Sequence, residues 1–311
     1  AGGGAAGVSG ALSVGVVGNT TKAYVESGGN AAGAATLNAG KTLAVKAVAE
    51  EEMSTATVSG AAGGYAGVAG AVAVKVASST TEASIGDFTT VTQTRNGSEQ
   101  DVIVQADDTV ALRGGGGSGG ASLVAGVGAT VDVNIVRNTT TAYLGASTQV
   151  DADRNLTISA NSTKDVQSTA VAAAGGNTAG IAGAISVVSI GASLVGDTQS
   201  RLGDTTNFAD RKIKTNNVSQ NLGDSSHVTG LKGDVSSGVG KLGVADDMNE
   251  ATTDSLDKTR AYIGSGSHVV AEGNLWVKAD DKLKLSVDAA GAAGGAVGIG
   301  GAVGIAVAHG T

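Results

Sequence analysis

The strongest constraint on this chain is that it repeats itself about every 60 residues. The segment Asn19-Thr20-Thr21-Lys22-Ala23-Tyr24-Val25 returns as Ser79-Thr80-Thr81-Glu82-Ala83-Ser84-Ile85 and as Asn138-Thr139-Thr140-Thr141-Ala142-Tyr143-Leu144. It returns again as Asp257-Lys258-Thr259-Arg260-Ala261-Tyr262-Ile263, and a decayed copy is Asp197-Thr198-Gln199-Ser200-Arg201-Leu202. Positions 24, 84, 143, 201 and 262 step by 60, 59, 58 and 61 residues. A beat that even marks an array in which each unit stacks on its neighbour.

Other landmarks keep the period. Leu43-Ala44-Val45-Lys46-Ala47 recurs at 102–106, 156–160 and 275–279, and a Gly-Gly pair stands at 3–4, 63–64, 119–120, 175–176 and 294–295. Each pair leads into an alternating run: Leu12/Val14/Val16, Val72/Val74/Val76, Val131/Val133/Ile135 and Ile185/Val187. Period-two alternation of branched residues predicts half-buried strands. The pattern spans 1–203 and 257–311. Between them, 204–256 reads as a polar insertion, with Leu242, Ala245, Met248, Thr252 and Leu256 at the spacing of a short amphipathic helix.

Each repeat holds four or five strand-length runs and no stretch that suits a leucine-rich or βαβ unit, and no Trp-Asp signature points to a propeller. The expected fold is all-β: a parallel β-helix, or β-solenoid, of Gly/Ala/Val-rich repeats. At roughly 20–30 residues per turn, one repeat is expected to make two or three turns. The chain has 51 Gly, no Pro and 2% aromatics, so its core must be Val, Ile, Leu and Ala in a thin section. Collagen is excluded by the missing Pro. In Ala66-Gly67-Val68-Ala69-Gly70-Ala71 both strand faces are small, which lets facing sheets approach more closely than about 10 Å. The bland alternative is that Gly only marks bends.

Chemistry is sparse. Without Cys there is no disulfide framework, zinc-thiolate site or thiol enzyme, and export is permitted. The net charge of −8, with no Lys/Arg cluster, argues against nucleic acid as a partner. Ala1-Gly2-Gly3-Gly4 lacks the basic region of a signal peptide, so the chain reads as non-secreted or as an internal slice. Gly291 to Gly310 is long enough for a membrane span, but its dense glycines and alternation argue for strands. The acid pairs Asp107-Asp108, Asp246-Asp247 and Asp280-Asp281 read as solvated, too few for calcium. His227, His268 and His309 are far apart. No catalytic, metal or cofactor residue is nominated.

The candidate ligand or ladder positions are Tyr24, Tyr143, Tyr262 and Trp276. Ser84 and Arg201 interrupt the Tyr series, and the plain alternative is Tyr packing at a strand rim. Asn19 and Asn138, before Thr-Thr, read as turn residues. The sequons at Asn19, Asn96, Asn138, Asn155, Asn161 and Asn217 are what a Thr/Ser-rich chain produces by chance.

Three pieces carry a resemblance: Asn138-Thr139-Thr140-Thr141-Ala142-Tyr143-Leu144-Gly145, then 273–279, then 62–71. They resemble the repeats of large leukotoxin-type and filamentous-haemagglutinin-like bacterial adhesins, over all of the chain except about 204–256. The resemblance implies a solenoid stalk, export across an outer membrane to the cell surface, and roles in adhesion or fibres. It brings no catalytic residue. The expectation is therefore a structural and interaction segment of a long extracellular fibre, not an enzyme. Its partners would be its own kind, end to end or laterally, and surface glycans or proteins. End-to-end stacking is suggested by Gly3-Gly4 and Gly294-Gly295 standing at the same phase. The alternatives are a carbohydrate-binding module or, less favoured, a polysaccharide-acting β-helix enzyme.

Overall fold

A computed structural model describes residues 2–30, 33–93, 100–191 and 257–310. Among the described residues the elements are all strands: β1 (Gly2–Gly3), β2 (Ala6–Val25), β3 (Ala35–Ala39), β4 (Leu43–Gly63), β5 (Ala66–Ile85), β6 (Thr89–Gln93), β7 (Val102–Ser122) and β8 (Ala125–Leu144). They continue with β9 (Gln149–Ala152), β10 (Leu156–Gly175), β11 (Ala179–Ile190), β12 (Lys258–Ile263), β13 (His268–Ala271), β14 (Leu275–Gly294) and β15 (Val297–Ala308). The expected insertion at 204–256, its helix, and the decayed copy at 197–202 lie outside the described residues.

The strands form three sheets, and every pairing is parallel. Sheet I runs β1-β4-β7-β10-β14 and sheet III runs β13-β9-β6-β3. Sheet II runs β15-β11-β8-β5-β2, with β12 also paired to β8. The chain visits II, III and I in turn. Ala6 pairs with Ala66 and Ala66 with Ala125, while Leu43 pairs with Val102 and Val102 with Leu156. Each strand therefore lies on its counterpart one repeat away. β11 covers the first part of β8 and β12 the last part, so the row broken after Gly191 resumes at Lys258.

This register overturns the expectation of two or three turns per repeat. A whole repeat is spent on one layer. The reason is strand length: glycines read as breaks run through the strands, so β4, β5, β7 and β8 reach 20 or 21 residues. At about 3.3 Å per residue such a strand is about 65 Å long. The Gly-Gly pair marks a corner at Gly63-Gly64, but Gly119 and Gly120 lie inside β7, and the corner there is Leu123-Val124. Gly291 to Gly310 belongs to the end of β14 and to β15. Among the described residues no helix is long and apolar enough to cross a membrane.

The long strands of sheets I and II pack face to face, and the cross-section tapers. At its wide end sheet III inserts Val91 and Val150 among Val102, Val104, Leu144, Leu156 and Ile158. Midway, Val110, Leu112, Val136, Val166 and Ile190 form a second cluster. Near the corners the core shrinks to Ala170, Ala172, Ala174, Ala182 and Ala184. The expected close approach holds at this thin end. A Cβ built on Gly67 would collide with the carbonyl of Ala121 on the facing strand, and one on Gly120 with the carbonyl of Val127. Only glycine lets the two backbones come that near.

The alternating runs are strands, but their branched residues point away from the core. In β5 it is Ala71, Ala73, Lys75 and Ala77 that face sheet I and are buried, whereas Val72, Val74 and Val76 lie on the other side, Val72 and Val76 half-buried and Val74 4% exposed. In β2 the outward Val8, Leu12, Val14 and Val16 are 71%, 57%, 49% and 70% exposed. A thin sandwich has room inside for Ala and Gly, so the bulk goes outward.

Candidate functional site

The space between the three apolar clusters is polar. Two seams of hydrophilic side chains cross the sandwich, running from layer to layer; Lys75, Asp108, Asp132 and Asn138 in them are buried, while Asn19 in the first layer and Asp281 in the last are exposed.

The first seam is built by the repeated Asn/Ser-Thr-Thr motif. Asn19, Ser79 and Asn138 stand in one register row. They share parity with Ala23, Ala83 and Ala142, so they point inward. This corrects their reading as turn residues: they sit within long strands and bond to the facing sheet. Asn19 Nδ2 donates to Glu51 Oε1 at 2.8 Å. Ser79 Oγ stands 3.1 Å from Glu51 Oε1 and 2.8 Å from Asp108 Oδ2, and Thr81 Oγ1 donates to Asp108 Oδ2 at 3.1 Å. Asn138 Nδ2 donates to Ser162 Oγ at 3.1 Å. Asn138 is 1% exposed, so no glycan fits on it in the fold. In the layer beyond, Lys164 Nζ sits 2.9 Å from Asp257 and 2.6 Å from Asp281.

Asp108, read as solvated, is 1% exposed. Burial pushes its carboxyl up to about 6, the bonds from Ser79 and Thr81 pull the other way, and the charge of Glu51 raises it again. Ser79 has one hydroxyl proton for two carboxylate oxygens, so one contact needs a proton on a carboxyl group. Asp108 therefore holds its proton up to about pH 6. Asp257 is also raised by burial, and Lys164 opposes the shift.

The second seam centres on an ion pair. Lys75 Nζ lies 2.8 Å from Asp132 Oδ1, and both side chains are fully buried. Asp132 Oδ2 accepts from Asn134 Nδ2 at 2.9 Å and from Ser168 Oγ, which also touches Ser186 Oγ at 2.6 Å. Nearer the thin end Thr130 Oγ1 donates to the Val171 carbonyl at 2.7 Å and stands 2.8 Å from Ser118 Oγ. Sequence reasoning missed these residues. The available signal was parity: Lys75, Asp132 and Asn134 fall on the same side as the small residues of their strands, not on the Val side.

The four nominated aromatics are not gathered into one site. Tyr24, Ser84, Tyr143 and Tyr262 form a single outward row of sheet II. Tyr262 follows Tyr143 directly, and Arg201 lies outside the described residues. The rings of Tyr143 and Tyr262 stack at 5.0 Å with 2° between their planes, and Arg260 caps Tyr262 at 5.4 Å. Tyr143 Oη donates to Glu82 at 3.0 Å, and burial pushes its hydroxyl above the usual value. Tyr24 is separated from this pair by Ser84 and is 63% exposed. Trp276 belongs to β14 on the outer side of sheet I, beside Thr157, so it shares no surface with the Tyr row. A sugar stacks on a free ring face, and in the Tyr143–Tyr262 pair the shared faces are already taken.

Compared with protein-family models, curated proteins and solved structures, the chain matches none. Function has to be read from this geometry alone.

Proposed function

We propose that the chain is a structural and interaction segment of a long extracellular bacterial fibre or adhesin, a β-solenoid stalk resembling the leukotoxin-type and filamentous-haemagglutinin-like repeats. The observation that carries the reading is the register: among the described residues each repeat passes through the three sheets in turn, and its strands pair in parallel register with those of the previous repeat. Such a body extends by adding identical layers, and its stability accumulates from neighbour to neighbour. Each layer adds about 4.8 Å, so it is a broad slab that gains length slowly and offers wide flat sides. The buried seams fit a structural role, since their polar atoms bond to one another between layers.

Surface display is tested on the organism that makes the protein. Antibodies against the segment should label intact cells, and labelling only after permeabilisation would overturn the reading. For the carbohydrate alternative, Trp276 and Tyr24 offer exposed rings, and a glycan array with W276A as control decides it. Binding lost in W276A would favour the module.

A further inference from the structure

The two outer sides of the slab differ in kind. The outer side of sheet I carries Lys46, Glu52, Arg113, Asp165, Lys278 and Lys284, with Arg113 and Lys284 at 3.3 and 3.6 Å from Asp165. The outer side of sheet II carries five register rows made only of Ala, Val, Leu, Ile and Gly; the innermost, through Val74, has Val74 itself closed off at 4% exposure, and the other four run from the thin end. Those four are the rows through Ala66, Val68, Gly70 and Val72. None of their members is closed off, and the first-layer ones are exposed. Parallel sheets occur almost only with both faces covered. Solvated charges on sheet I relieve that requirement there; nothing polar relieves it on these rows.

We infer that this outer face of sheet II is an interface with a second copy of the same chain, packed sheet to sheet about a two-fold axis. The inference deepens the stalk reading by naming its lateral partner, and rests on that reading only for its biological setting. Shape favours a self-pair. The Val68 and Val72 rows are ridges, and the Gly70 row between them is a groove, so the Val68 ridge of one copy seats in the Gly70 groove of the other, and the reverse. Area favours it as well. Four rows by five layers cover about 600 Å² on each copy, at the upper end of the largest apolar patch on a typical monomer. A pair then buries about 1,200 Å² in all, the lower bound for a stable specific interface. A lipid surface fits less well, because membrane-lying faces set basic and aromatic residues beside the apolar ones, and these rows have neither.

The test uses the intact chain, whose lack of Cys permits single-cysteine reporters. Sedimentation should give twice the chain mass at tens of micromolar. A short bis-maleimide should join two copies of V127C, on sheet II, and leave T163C, on the outer side of sheet I, single. V131K, on the Val72 row, should weaken pairing at least about tenfold while keeping the β-spectrum, and T163K should not. A folded wild-type monomer overturns the inference, as does equal cross-linking of the two cysteine variants. It is also overturned if the intact chain is single but a chain without residues 192–256 pairs, which would mean the chain covers its own face. Binding to phosphatidylcholine vesicles without self-association assigns the face to lipid instead. None of these outcomes touches the cell-labelling test, so the stalk reading stands or falls separately.

Discussion

The sandwich buries carboxylates in two different ways. Asp132 is matched by Lys75, and Asp257 and Asp281 by Lys164. Glu51 and Asp108, in earlier layers of the first seam, take hydrogen bonds from Asn19, Ser79 and Thr81. The first kind stands beside a lysine ammonium group. In the second, burial raises the Asp108 carboxyl to about 6. At Asp257 a lysine opposes the upward push of burial, whereas at Asp108 only hydroxyl groups do, although the backbones superpose layer on layer.

The largest effect should come from breaking a matched pair. K75M leaves Asp132 buried without its cation, and removing one partner of such a pair costs about 3–5 kcal/mol. Urea unfolding should show that loss at pH 7. The double variant K75M/D132N should recover most of it, because the amide still accepts from Ser168 and no charge remains. Failure of the double variant to recover would mean that Lys75 acts through packing of its stem.

Asp108 should behave in the opposite sense. Its folded pKa of about 6 stands above the ordinary 3.8, so between those values the folded state binds more protons than the unfolded state. Stability is then fully present below about pH 4 and falls as pH rises through about 6. D108N keeps an acceptor for Ser79 and Thr81 and removes the charge. It should stabilise the chain by about 2–3 kcal/mol above pH 6 and by little at pH 4. An advantage that does not change with pH would remove the raised Asp108 carboxyl from the account.

K164M sharpens the comparison within a single seam. It turns the matched layer into an unmatched one, and the loss should be about 1–3 kcal/mol, smaller than for Lys75 because Asp281 still reaches water. Its pH profile should come to resemble that of the Glu51–Asp108 stretch, with stability regained on acidification. A flat profile would show that Asp281 alone disperses the charge.

How much of this was legible follows the same division. The period, the existence of strands in every repeat and most of the corners could be read, because neighbouring layers impose the same residue on the same row. Which side of a strand faces inward could not. Alternation marks two faces, and the usual inference buries the branched one, as Val72 and Val76 invite. Here the interior is thin, so Ala71, Ala73 and Lys75 go in. Strand length was hidden for a related reason: Gly119 and Gly120 look like a break and are a close approach of two backbones. The seams were hidden because Asn138-Thr139-Thr140 has the composition of a turn. Only its parity with Ala142 and Leu144 marks Asn138 and Thr140 as inward. Of the nominated aromatics, Tyr143 and Tyr262 do meet, because the repeat places them in one row. Trp276 had no such partner in its own row.

The smallest effect is the most specific. Ser79 touches both acids, and its bond to Asp108 lowers that pKa. S79A removes a hydrogen bond that favours the ionised form, worth about 1.5–3 kcal/mol when a charged group is involved and less when it is neutral. The variant should therefore be destabilised mainly above pH 6 and nearly unchanged at pH 4. The midpoint of its pH-stability curve should move above that of the wild type, since Asp108 now holds its proton longer. S168A makes the contrasting case. Ser168 bonds to Asp132, which is paired with Lys75 at 2.8 Å, so the loss of this bond should cost stability by a similar amount at every pH between 4 and 8. Two serines, each bonded to a buried aspartate, would then differ only in whether a lysine stands beside the acid. A moving midpoint in S168A, or a fixed one in S79A, would break the distinction between the two kinds of buried charge.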